Sequence, residues 1–447
     1  MNKNKEQWST KLGFILSSAG AAVGLGAIWK FPYMTGMNGG GAFFLLFIGF
    51  TIILGLPLLV GEFIIGRSSQ KEAVTAYKTL APKTPWSFIG QWGVVGAFIL
   101  MAFYSVVGGW VLLYSFMSLP GQIIKENANY PELFANITGS PTLTIVGLGL
   151  FVLINIIVVS LGITNGIEKT NKVLMPLLFI FFIILVIRSV TFEGAMEGIR
   201  FFLQPDFSKL SAENVLYALG QAFFSLAVGI SVMVTYSSYL KKDVSLPSSA
   251  GSVSIMNIFV SLLAGLAIFP VVFAFGLEPA EGPGLLFIVL PEVFAQMPFG
   301  ELFLSLFLLL FLFAVLTSSF SMLEIITAAF TENKQRSRKK VAFIAGLLVF
   351  LAGIPSALST NVLTDFTIFG LTVFDASDFL VSNIMLPGGC LFISLFIGFK
   401  LDKSLLKQEF SYGNQLPDVL FHVWFQIMRW LVPATIIIVF LSSVGIL

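Results

Sequence analysis

The chain is 447 residues long, 57% hydrophobic and only 11% charged, with a formal net charge of +2 and a mean hydropathy of +0.94. Soluble domains carry charge on about 25% of their residues, so these values exclude a soluble globular protein and leave a polytopic membrane protein. The basic residues are spread among loops rather than gathered on one face, which excludes nucleic acid as a partner. A single cysteine, Cys390, and a single histidine, His422, exclude disulfide frameworks, Cys/His metal centres and histidine triads.

Residues 1–10 are polar and basic and lack the apolar core and cleavage site of a secretory signal, so they read as a cytoplasmic N-terminal segment. Apolar runs of spanning length, about 17 to 25 residues or more when tilted, follow at 11–35, 41–66, 89–118, 142–161, 167–190, 214–239, 246–276, 300–330, 340–356, 373–398 and 420–444. Eleven spans place the termini on opposite sides. With the N-terminus inside, 19 of the 25 Lys and Arg fall in cytoplasmic segments, against Lys125, Arg188, Arg200 and Lys209 outside; the positive-inside rule selects this orientation, with an extracellular C-terminus. The outer loop 277–299 contains an apolar stretch, Leu285 to Met297, too short to span and read as a lid.

Two of the spans carry nearly the same interruption, Ala22-Val23-Gly24-Leu25-Gly26 in the first and Ala227-Val228-Gly229-Ile230-Ser231 in the sixth. A glycine-broken helix at membrane depth frees backbone N–H and C=O groups, which are tolerated only where they face a ligand, an ion or water. The alternative use of such glycines is close helix packing, but repetition at matching places in two halves favours a binding site. The recurrence divides the chain into a first five-helix repeat at 11–190, an extracellular loop at 191–213, a second repeat at 214–398, a cytoplasmic loop at 399–419 and an extra C-terminal helix at 420–447. Five spans per repeat is odd, so the second repeat is inverted. The expected fold is an all-α polytopic bundle with a 5+5 inverted-repeat core and broken helices one and six.

A helix that stops offers free carbonyls, and one that restarts offers free amides, so cation and anion sites come as a pair. That pairing suits a zwitterionic amino acid. Its carboxylate would lie near the amides of Leu25 and Gly26, and its ammonium near the carbonyls of Ala22, Phe224 and Ser225. Lys30, Glu62, Glu324 and Asp378 are ionisable groups inside spans, where they are costly unless paired or functional.

With these residues in place the chain resembles the neurotransmitter:sodium symporter family, in its bacterial branch of leucine and multi-hydrophobic amino acid transporters. The resemblance spans almost the whole chain. It rests on Trp8, the run Gly20 to Pro32, Asn38 to Phe43, Glu62 with Gly66-Arg67, Gly220 to Ser225, Asn257, and Leu316-Thr317-Ser318-Ser319. It implies a leucine-transporter-like fold and a sodium site formed by the carbonyls of Gly20, Val23 and Ala314 with the hydroxyls of Thr317 and Ser318. On chemistry alone Thr317 and Ser318 would sooner bond a neighbouring carbonyl. A further sodium site would use Ala22, Ser225, Asn257 and the substrate carboxylate, but Ala27 stands where members have asparagine, so one sodium or two are both open. Gln221, Ser225, Asn257 and Ser261 match chloride ligands of chloride-dependent relatives. Phe47 replaces their tyrosine, which points away from chloride.

The same resemblance implies a substrate pocket of Ala22, Gly24, Leu25, Gly26, Leu100, Tyr104, Phe224, Ser225, Ala227, Ile230, Ser318, Ser321 and Met322. Gly24 occupies the position of an aspartate in monoamine transporters, so the substrate must bring its own carboxylate, and Tyr104 would donate to it. The walls are mostly apolar, and an acidic or basic substrate would leave its charge unpaired; a hydrophobic amino acid is expected. Lys30 and Asp378 would form the outer gate; Lys5, Tyr239 and Glu332, with Trp8 as a plug, the inner one. Glu62 would brace the sixth span, with a proton relay as its other role. Gly166 and Pro176 match a spacing associated with unwinding of the fifth span. The expectation is a sodium-coupled symporter in the cell membrane, with no enzyme activity, whose partners are a hydrophobic amino acid and the lipid bilayer, a homodimer being left open. A proton-coupled transporter is the alternative, and a channel comes after it.

Overall fold

A computed structural model describes residues 6–125, 128–276, 284–331, 336–413 and 416–443. Among them nine unbroken helices are long and apolar enough to cross a bilayer: Gly41–Ser69, Pro85–Ser118, Pro141–Ser160, Ile163–Ser189, Leu246–Ala274, Gly300–Thr331, Arg338–Leu358, Val373–Lys400 and Asp418–Leu441. The first span is a bent pair, Lys11–Ala22 and Gly26–Met37, with an angle of 51° between its halves. The sixth is also two pieces, Ala212–Leu226 and Val232–Ser238. The eleven expected spans are therefore all helical, and both breaks fall at the glycine-bearing motifs. Helix is the only open segment that satisfies its own backbone in hydrocarbon.

Polar side chains at the helix starts close the remaining donors. Thr10 accepts from the Gly13 amide, Ser140 from Leu143 and Ser245 from Ser248, while Ser211 and Asn214 form a reciprocal capping box at the start of the sixth span. Asn214 also donates to Asn38, tying the sixth span to the end of the first.

Packing between spans obeys an exchange rule. The third span packs on the eighth and the fourth on the ninth; the first packs on the seventh as the sixth does on the second, and the fifth on the eighth as the tenth does on the third. Exchanging spans one to five with six to ten maps this set of neighbours onto itself, as two copies of one five-helix unit require. The eleventh span lies outside the rule, against the tenth.

The loops contain helices that the apolar pattern does not signal, Tyr130–Thr138 and Ala195–Leu203. The stretch expected as a lid is helical over Leu285–Ala295. Its Phe287 is fully buried, parallel to Phe134 at 5.4 Å between ring centroids and close to Tyr114 at 4.8 Å. In the fifth span the chain is helical from Ile163 through Pro176 to Ser189, with wide turns over Ile163–Glu168. The unwinding linked to Gly166 and Pro176 is not present in this conformation; the interruption lies earlier, at Gly162, whose φ is +90°.

Candidate functional site

The first helix stops because Val23 leaves the helical region, at φ −86° and ψ 79°. Its last carbonyls then need other donors. The Ser318 hydroxyl lies 3.1 Å from the Gly20 carbonyl and 2.7 Å from that of Ala21, and the Gly24 amide donates to Ala22 at 3.1 Å. Where the helix restarts, the Leu25 amide donates to the Tyr104 hydroxyl oxygen at 3.3 Å. The break is thus held by the third and eighth spans.

The sixth span stops at Ala227 (φ +52°) and restarts after Ser231 (φ +56°). Between them Gly229 has φ +94°, and a Cβ there would lie 2.3 Å from the Leu386 carbonyl oxygen, so only glycine fits. Glu62 of the second span accepts the Gly229 amide at 2.7 Å. Tyr77 and Ser231 pair through their hydroxyls at 3.2 Å.

The two breaks face a common cavity of about 20 Å³ in this closed conformation. Of the expected pocket residues, Ala22, Gly24, Leu25, Gly26, Leu100, Tyr104, Phe224, Ala227, Ile230, Ser318 and Met322 line it. Ser225 and Ser321 do not: Ser321 donates to the Ser318 carbonyl at 2.6 Å, and Ser225 turns to Asn257. Ala21 and Leu386 join the wall without having been foreseen, because an alanine or leucine in an apolar run carries no signal of its own. A Cβ on Gly24 would lie 2.3 Å from the Ser318 hydroxyl oxygen and 2.6 Å from that of Tyr104. No charged side chain lines the cavity among the described residues.

Oxygen donors suited to a hard cation collect beside this cavity. Thr317 and Ser318 sit fully inside the bundle; Thr317 bonds the Ala314 carbonyl at 3.0 Å, and a Cβ on Gly20 would come within 3.0 Å of the Thr317 Cβ. The carbonyls of Gly20 and Val23 lie in the terminal turn freed by the break. In the other expected ion site Ser225 donates to the Asn257 side-chain oxygen at 2.8 Å, while Asn257 Nδ2 has no hydrogen-bond partner among the described residues. Ala27 is buried and contributes no side-chain oxygen. Of the set matched to chloride, Gln221 donates to the Gly26 carbonyl at 2.7 Å and Ser261 is buried without a hydrogen-bond partner among the described residues. Phe47 packs against Phe31 at 4.9 Å between centroids.

Ion pairs lie toward both ends of the bundle. On one side Lys30 reaches Asp378 at 3.5 Å and Ser382 at 3.1 Å, Ser382 donates to Asp378 at 2.8 Å, and the Lys30 ammonium lies 4.7 Å above the Phe224 ring. On the other, Trp8 inserts its indole between Phe14 and Tyr236 and donates to the Tyr236 carbonyl at 2.7 Å. Lys5 and Glu332 lie outside the described residues. Among the described residues at this end, Tyr239 donates to Glu324 at 2.7 Å, Arg338 pairs with the same carboxylate, and Arg338 also reaches Glu6 at 3.3 Å. Glu324 is thus paired, as an acid in a span must be. Glu6 in turn accepts the Ile163 amide at 2.8 Å, and Glu168 accepts the Ser9 amide at 2.8 Å.

A pair of discontinuous helices meeting at a small occluded cavity, with ion-pair closures at each end, defines a secondary transporter of the inverted-repeat type. The sequence matches the model of the Sodium:neurotransmitter symporter family over residues 5–132 and 136–446, and the chain belongs to that family. It is similar to an uncharacterised sodium-dependent transporter, YhdH, of Bacillus subtilis (strain 168), 53% identical over 442 residues that cover 99% of this chain and 98% of the relative. A sodium-dependent transporter of Haemophilus influenzae is 40% identical over 99% of both chains. Among solved structures, MhsT in complex with L-phenylalanine superposes with a TM-score of 0.92 at 41% identity, covering 98% of this chain and all of the other. The chain is therefore a sodium-dependent symporter and a multi-pass membrane protein, not an enzyme.

Proposed function

We propose that the protein uses the inward sodium gradient to import hydrophobic amino acids by alternating access. The observation that carries this reading is the lining of the cavity between the two breaks, which combines the Leu25 amide and Tyr104 hydroxyl with the apolar side chains of Leu100, Phe224, Ile230 and Met322. A zwitterion's carboxylate is received by the Leu25 and Gly26 amides together with Tyr104. Its side chain is received by a wall with no counter-charge, which favours aliphatic and aromatic side chains over charged ones. The phenylalanine bound by the MhsT relative supports the same class.

Sodium, the co-transported substrate, is assigned to Gly20, Val23, Ala314, Thr317 and Ser318. The Ser318 hydroxyl now bonded to the Gly20 and Ala21 carbonyls would turn its oxygen to the ion, and the freed Gly20 carbonyl would join it. Ser318 also lines the amino acid cavity, so ion and substrate organise one side chain. The site of Ala22, Ser225 and Asn257 lacks the amide that Ala27 cannot supply, so the first assignment carries the coupling. The Phe47 ring offers no hydroxyl, and transport is expected to be independent of chloride. The membrane is the cell membrane, with the N-terminus cytoplasmic. The repeats are 11–190 and 214–398.

Equilibrium binding of labelled phenylalanine and leucine to the purified protein tests the site. Binding in sodium chloride and sodium gluconate, but not in choline chloride, is expected. Binding that competes with glutamate or lysine would contradict the apolar pocket.

A further inference from the structure

A second cavity shares no lining residue with the transport site. It is a groove of about 780 Å³ on the outside of the bundle, between the start of the third span, the end of the eighth and the start of the ninth. Phe98, Phe330, Ile344 and Leu348 form its apolar floor and walls, and Phe330, Ile344 and Leu348 are exposed there. Two cations, Arg336 and Lys340, stand at its mouth and are also exposed. Neither has an ion-pair partner among the described residues, whereas Arg338 between them is committed to Glu324 and Glu6.

An apolar trough that opens toward the hydrocarbon and ends in cations at the headgroup level matches one kind of molecule at both ends. We propose that this groove binds an anionic glycerophospholipid, with its phosphate at Arg336 and Lys340 and its acyl chains against Phe98, Phe330, Ile344 and Leu348. Basic pockets between membrane helices recognise anionic headgroups in this way. A second copy of the chain fits less well, since two-fold pairing about the membrane normal would bring the two cationic rims together. The position has a consequence for transport. Arg336 and Lys340 flank Arg338, which closes the end of the bundle through Glu324 and Glu6, so a phosphate held there restrains the same helix start and favours the closed conformation.

Native mass spectrometry of the full-length protein in detergent, titrated with phosphatidylglycerol or phosphatidylcholine, measures the site directly. Phosphatidylglycerol should be retained in preference to phosphatidylcholine. Each cation near a membrane surface contributes roughly fivefold, so the double variant Arg336→Gln with Lys340→Gln should lose roughly 25-fold in phosphatidylglycerol affinity and leave phosphatidylcholine unchanged. Filling the groove with Ile344→Trp should weaken retention while leaving the headgroup cations in place. A pair elsewhere, Lys400→Gln with Lys403→Gln, should retain the wild-type preference. Equal retention of the two lipids by the wild type, an unchanged preference in the Arg336/Lys340 variant, or a dimer that Ile344→Trp dissolves would each overturn the proposal.

Discussion

The carboxylate of Glu62 lies 2.7 Å from the amide of Gly229, at the point where the sixth span is open. The contact supplies an acceptor to a buried N–H that a continuous helix would have satisfied itself. Glu62→Ala should lower stability by about 1–3 kcal/mol, the cost of leaving such a donor unpaired. Glu62→Gln retains an acceptor oxygen and should recover most of that loss, read by thermal unfolding in detergent. Preserved sodium-driven uptake in Glu62→Gln would also show that Glu62 is a brace rather than a proton carrier.

Gly24 admits no side chain, since a Cβ would collide with both Ser318 and Tyr104. Gly24→Ala should abolish amino acid binding. Gly49→Ala, at a glycine with nothing within 4 Å, should leave it unchanged. Scintillation proximity binding distinguishes the two.

The cation assignment predicts a specific change in ion dependence. Thr317→Ala and Ser318→Ala each remove one oxygen and should raise the half-saturating sodium concentration about tenfold or more, since a charge-assisted contact is worth about 1.5–3 kcal/mol. Ala27→Asn should act in the opposite direction at the other site, raising apparent sodium affinity or steepening the sodium dependence of binding.

Arg338 closes its end of the bundle through Glu324 and Glu6. Arg338→Gln leaves a buried carboxylate without its cation, a defect typically costing about 3–5 kcal/mol. Hydrogen exchange over residues 11–22 should accelerate, because Glu6 and Trp8 fasten that helix. Unchanged protection there would detach Arg338 from closure.

Lys30 reaches Asp378 through a single ammonium at 3.5 Å. Arginine would present a planar fork to the same carboxylate. Lys30→Arg should slow release of bound amino acid toward the side that carries this pair, and Asp378→Asn should accelerate it, measured as dissociation rates after dilution.

The breaks were legible because nearly the same letters recur 205 residues apart, at 22–26 and 227–231, at matching places in two halves, which helix packing alone does not require. Eleven of the thirteen expected pocket residues line one cavity, since helix register carries their spacing into space. The inner closure was harder to foresee. Glu324 announces a need for a partner, but Arg338 sits in a run of basic residues and looks like any loop cation. Its pairing with Glu6, more than 300 positions away, is a tertiary event that no local pattern encodes. Leu386 entered the cavity for the same reason, arriving on a distant span. The loop helix Tyr130–Thr138 is brief, so its apolar signal is weak.

Uptake of labelled phenylalanine, leucine and tryptophan into proteoliposomes of the purified protein tests the central claim most directly. An inward sodium gradient should drive accumulation that potassium, choline or a proton gradient alone does not support, and Gly24→Ala should abolish it. Accumulation that follows the proton gradient and ignores sodium would contradict the account.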